Sequence, residues 1–167
     1  EQVGTLTSEL IALTHGNPTT FLSGVVLAYA ITGILQEPDV PLFDQFQQAI
    51  AVMDGQFRGQ FCQAEDLAQQ LRRAIALAKS GTVSVQEGME QLGCMDAPQC
   101  LAGALYACLT SHRDFDAAMI TAVNHSGRSA AVGAVAGAIL GARMGEETLP
   151  EFYMECLEPA ELLRELA

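Results

Sequence analysis

Two short polar stretches hold the residues whose types and spacing suit chemistry. Thr14-His15-Gly16-Asn17-Pro18 precedes one long apolar run, and Asn124-His125-Ser126-Gly127-Arg128-Ser129 precedes another. Each sets an imidazole among hydroxyl and amide groups where a helix is expected to begin. The first turn of a helix has free backbone N–H groups, and its dipole favours negative charge, so both loops suit an anion. The candidate ligand-binding residues are His15 in the first loop and Asn124, His125, Gly127, Arg128 and Ser129 in the second. Two arrangements compete: the loops meet in one site, or His15 and His125 are ordinary loop histidines held by local hydrogen bonds.

Other chemical signals fail on inspection. His112-Arg113-Asp114 resembles a kinase catalytic loop, but the residue five positions after the aspartate is Met119 where asparagine is needed. Neither a phosphate-cradling G-x-x-x-x-G-K loop nor a G-x-S-x-G nucleophile elbow occurs. Asp114-Phe115-Asp116 offers paired carboxylates, but its place at a helix start reads as capping.

The composition narrows the setting. The 167 residues suit a single domain spanning 1–167, and 50% hydrophobic against 17% charged residues excludes a disordered chain. Twenty acidic residues against eight basic ones give a net charge of −12, which repels nucleic acid and anionic membranes. The run between Arg128 and Arg143, the apolar stretch that invites comparison with a membrane span, falls short of the ~20 residues a bilayer needs. No signal peptide is visible, and five cysteines without a C-x-x-C pair suit reduced, mostly buried thiols in a cytoplasmic protein. The chain starts at Glu1 rather than Met, as a fragment, a trimmed chain or a processed product would.

The elements that must position the two loops read almost entirely as helix. Val3, Leu6, Leu10, Ile11 and Leu13 have helical spacing over residues 2–13. Asn17 caps a helix with Pro18 at its first position, running through about Leu35 and apolar enough to be central. Amphipathic helices follow over 42–57 and 65–79, then a short one opened by the capping box Ser84–Glu87 and ended by Gly93. Further helices are expected over 98–109, from the Asp114 cap to Val123, over 129–144, from Pro150 to Leu157, and from Pro159 to Leu166. No stretch alternates with the period of a strand, so the fold class is all-α, with eight to ten helices. Gly133, Gly137, Gly141 and Gly145 fall on one helix face, where a closely approaching backbone is expected.

The segment from Asn124 through His125-Ser126-Gly127-Arg128-Ser129-Ala130-Ala131-Val132-Gly133 to Gly141-Ala142 resembles the C-terminal signature of the ADP-ribosylglycohydrolase family. This family includes dinitrogenase reductase-activating glycohydrolase. Thr14-His15-Gly16 resembles its Thr-His-Gly segment, whose histidine lines the substrate pocket. The resemblance covers about Cys100 to Glu158 and Leu6 to Leu35. It implies a compact orthogonal bundle of helices, removal of ADP-ribose from proteins, and two magnesium ions held by carboxylates and threonines.

Two departures change what the resemblance implies. The family pattern Gly-Asp-Ser/Thr-Asp-Thr/Ala is here Gly127-Arg128-Ser129-Ala130-Ala131, so the metal-ligand positions fall on Arg128, Ala130 and Ala131. The family also carries a Thr-Asp-Asp metal motif in an N-terminal part that is missing here, and this chain has no Asp-Asp pair. No magnesium or other cofactor is therefore expected, and no hydrolysis by the family mechanism. Three functions follow as expectations. The first is binding of ADP-ribose or another small anion without cleavage, with Arg128 replacing metal charge. The second is a structural module that forms a homo-oligomer or takes a second chain over the missing N-terminal face. The third is part of an active hydrolase completed by another segment.

Overall fold

The computed structural model describes residues 2–111, 114–155 and 157–166. His112, Arg113 and Cys156, which figured in the motif and thiol readings, lie outside the described residues. Ten α-helices and one 3-10 turn make up the ordered elements among the described residues, and none is a strand. The helices are α1 (Gln2–Ala12), α2 (Pro18–Gln36), α3 (Leu42–Phe57), α4 (Gln63–Ser80) and α5 (Val85–Leu92). They continue with α6 (Ala97–Thr110), α7 (Phe115–Val123), α8 (Ser129–Met144), α9 (Glu151–Glu155) and α10 (Ala160–Leu166).

Local signals set most of these boundaries. Asn17 Oδ1 accepts from Thr19 N at 3.0 Å, with Pro18 opening α2. Ser84 and Glu87 close a reciprocal capping box at α5, and Asp96 and Asp114 cap α6 and α7. The helix expected from Pro150 is shorter: a 3-10 turn over Glu146–Thr148 precedes it, and α9 begins at Glu151.

The core is organised around α6 and α2. Every residue from Cys100 to Cys108 is buried, so α6 is the most enclosed helix. It packs on α4, α5, α7, α8 and α2, while α2 touches α1, α3, α4, α6 and α8. By length and composition α2, rather than the Arg128–Arg143 run, is the helix apolar enough to cross a bilayer. In this fold its Leu22, Val25, Val26 and Ile34 are fully enclosed by neighbouring helices. Cys94, Cys100 and Cys108 are buried free thiols, whereas Cys62 is exposed.

Helical spacing over residues 2–13 does not say which face is covered, and the leucines of this segment do not face the core; α1 ends at Ala12, one residue before Leu13. Leu6, Leu10 and Leu13 are 66%, 68% and 80% exposed, and α1 instead turns Gly4 and Ile11 towards α2. A Cβ on Gly4 would lie 2.5 Å from the Tyr29 hydroxyl, and a Cβ on Gly24 would overlap Ile11. Small residues let the two helices come together closely, which a leucine face would prevent.

One expectation needs correction, the close backbone approach at the glycine stripe of α8. A Cβ on Gly133 would meet only the Val123 and Met119 side chains, one on Gly137 only Met119, and one on Gly141 nothing within 4 Å. Gly145 ends the helix with φ +76°. The stripe therefore accommodates side chains of α7 and a helix end rather than another backbone.

Candidate functional site

The second polar loop, residues 124–128, joins the end of α7 to the start of α8. Its own residues hold much of it in shape. Asn124 Nδ2 donates to Ile120 O at 2.8 Å, so its amide closes the last turn of α7. Gly127 N donates to His125 Nδ1 at 3.0 Å, which makes Nδ1 an acceptor. The ring proton then sits on Nε2, 3.0 Å from Ala122 O, where it donates. Both imidazole nitrogens are thus engaged by the backbone of the same segment. Ser129 Oγ donates to His125 O at 3.4 Å, completing the turn into α8.

The rest of the loop is braced from α5 and the segment that follows it. Ser126 N donates to Glu90 Oε1 at 2.9 Å, and the Ser126 hydroxyl donates to Glu90 Oε2. These bonds from the Ser126 hydroxyl and then its amide hold the Glu90 carboxyl below the ordinary glutamate value of 4.5. Arg128 N donates to Cys94 O at 2.8 Å. Cys94 has φ +52°, a left-handed conformation uncommon outside glycine, and Gly93 before it has φ +76°. This turn presents the Gly93 and Cys94 carbonyls to the loop. A Cβ on Gly127 would lie 2.6 Å from both carbonyl oxygens, so only glycine fits there without a backbone shift. Burial pushes the Cys94 thiol up to about 11, so it is a packed group rather than a nucleophile.

Arg128 ends this loop and leads into α8. It is exposed, occupies the N-cap position of α8, and supplies no side-chain cap to that helix. Its guanidinium has no ion-pair partner among the described residues, whereas Arg58, Arg72 and Arg164 each pair with a carboxylate. An open cleft of about 420 Å³ lies beside the loop, lined by Val85, Gln86, Met89, Ile120, Thr121 and Asn124.

The first polar loop is arranged differently. His15 is exposed, its Nδ1 lies 2.8 Å from the Thr14 hydroxyl, and its N–H donates to Ile11 O. No hydrogen bond among the described residues joins this loop to residues 124–129. Asn124, His125, Gly127, Arg128 and Ser129 therefore form one local unit, and His15 belongs to another.

The sequence reading missed Glu90 and Cys94. Glu90 lies 36 positions from Ser126, and the capping box that places α5 says nothing about which loop its outer face meets.

The donor set of the α7–α8 loop does not fit a hard divalent cation. Arg128 brings a positive charge, Ala130 and Ala131 bring no side-chain oxygen, and the Glu90 carboxylate is already bonded to Ser126. No group of three or more His, Cys, Asp or Glu side chains suited to a metal occurs among the described residues.

The sequence model described as ADP-ribosylglycohydrolase matches residues 1–167, the whole of the chain. No curated protein and no solved structure matches it.

Proposed function

Because the chain belongs to the ADP-ribosylglycohydrolase family, we propose that it binds ADP-ribose, or a related anionic ligand, at the α7–α8 loop and does not cleave it. One observation carries this reading. Arg128 is exposed and without an ion-pair partner, at the start of a helix that no side chain caps. A guanidinium offers several donors to a phosphate, and the helix dipole adds favourable charge at the same end.

The chain's own groups divide the work. Arg128 meets the pyrophosphate. Glu90 and His125 hold the loop in shape through Ser126 and Gly127 without touching the ligand. The cleft beside Asn124 gives room for the uncharged part of the ligand. Hydrolysis by the family mechanism needs metal ions to polarise the glycosidic linkage and position water, and the loop's donor set supplies no place for them.

Calorimetric titration with ADP-ribose tests the reading. Binding is expected in the presence of EDTA, and Arg128→Ala is expected to abolish it with the fold intact. No heat at millimolar ADP-ribose would overturn the binding. Magnesium-dependent release of ADP-ribose from an arginine-modified protein would overturn the absence of cleavage.

A further inference from the structure

A second cleft, of about 470 Å³, lies where α1 meets the start of α2 and the end of α3, and none of its lining residues belongs to the α7–α8 loop. Its inner walls are aromatic. Phe21 and Phe57 are buried and Phe61 is half-buried, so packing fixes the rings. Phe21 and Phe61 stand at 74° with centroids 5.1 Å apart, and Phe57 and Phe61 at 33° and 6.3 Å. A flat base held between two rings needs parallel walls roughly 7 Å apart, and neither pair provides them. Rings set at an angle form a corner instead, and the face of an aromatic ring attracts a cation.

The rim carries the matching charge. Glu9 lines the cleft, is exposed and has no ion-pair partner among the described residues, and no Lys or Arg lines the cleft. Gln56 fixes the polar side. Its Oε1 accepts from the Tyr29 hydroxyl and its Nε2 donates to Thr5 Oγ1 at 3.2 Å, which ties α3 to α2 and α1. The net charge of −12 repels anions and raises the local concentration of cations. A metal ion needs several oxygen ligands, and one carboxylate does not supply them. A neutral apolar molecule gains nothing from Glu9. An organic cation uses both the rings and the carboxylate.

We propose that this cleft binds a small, free trimethylammonium ion, with the cation against the Phe61 ring and Glu9 as its counter-charge. The site is separate from the one at the α7–α8 loop, and either can fail without the other.

An NMR titration of the 167-residue chain with choline, followed at the amides of Ser8, Gly16 and Gln60, tests the site. Saturable shifts with a millimolar dissociation constant are expected. Neopentyl carbinol, which has the shape of choline without its charge, should bind at least about tenfold more weakly. Phe61→Leu should also weaken choline about tenfold, and Glu9→Gln about threefold. Glu147→Gln, an exposed carboxylate outside the cleft, should leave binding unchanged. The proposal is overturned by shifts that do not saturate, by saturable shifts confined to residues outside the cleft, or by equal binding of the neutral isostere. It is equally overturned if Glu9→Gln changes nothing or if Glu147→Gln weakens binding as much. A peptide carrying trimethyllysine that binds at least about tenfold tighter than choline would overturn the free ion as the occupant. Should Phe61→Leu lose its helical circular dichroism, the isostere and Glu9→Gln decide.

Discussion

The α1–α2 loop satisfies itself, whereas the α7–α8 loop adds to its own local bonds a brace from outside. In the first, Thr14 meets His15, Asn17 caps α2, and Gly16 has open space around it. In the second, Ser126 is held by Glu90, Arg128 N by Cys94 O, and Gly127 fits against two carbonyls. Both loops carry a histidine and lead into an apolar helix. They differ in what fixes them. A self-capped loop needs only its neighbours in sequence. A braced loop depends on tertiary packing, and that packing leaves Arg128 free at the surface because backbone bonds rather than its side chain hold it in place.

The glycines give the largest contrast. Gly127→Ala should destabilise the fold by about 3 kcal/mol, because backbone carbonyls rather than a flexible side chain would have to move. Gly16→Ala should change stability by less than about 0.5 kcal/mol. Urea denaturation of the two variants measures the difference, and equal effects would break the comparison. Next in size is the cap of the first loop. Asn17→Ala should cost about 1 kcal/mol, since the Thr19 N–H and hydroxyl both lose their acceptor.

The brace of the second loop should respond to pH. The Glu90 carboxyl is lowered in the folded state, so its contribution is fully present above its ordinary value of 4.5 and is lost as pH falls through the lower folded value. Amide hydrogen exchange or NMR shifts at Ser126 should therefore titrate on the acid side of 4.5, with the His15 loop unaffected by that transition. Glu90→Gln should remove the titration. The smallest effect on stability is expected at Arg128→Ala, within about 0.5 kcal/mol by thermal denaturation, since the side chain is exposed and unpaired. The same substitution is the one expected to remove ligand binding, which separates the group that meets the ligand from those that shape the loop.

Much of the fold was legible because its signals are local. The Ser84–Glu87 box, the Asn17-Pro18 start and the Asp114 cap each act within four residues, and each is found where the sequence places it. Helical periodicity, by contrast, shows that a face is apolar without showing that anything covers it. The spacing of Leu6, Leu10 and Leu13 marks a helix without saying which side is covered, and the close approach at Gly4 and Gly24 turns them outward. The glycine spacing of α8 drew attention to the wrong close contact. The backbone approach is at Gly127, where the neighbours come from residues 93 and 94.

The sequence by itself determined the helical class, most helix boundaries, the family and the departure from its motif at Arg128, Ala130 and Ala131. These depend on residue type, short-range capping and periodicity. Only the tertiary structure decided that Glu90 and Cys94 brace the second loop and that α1 presents its leucines to solvent. Each of these depends on which distant backbone or side chain fills the space beside a residue, and that is fixed by how the helices pack rather than by the order of residues along any one of them.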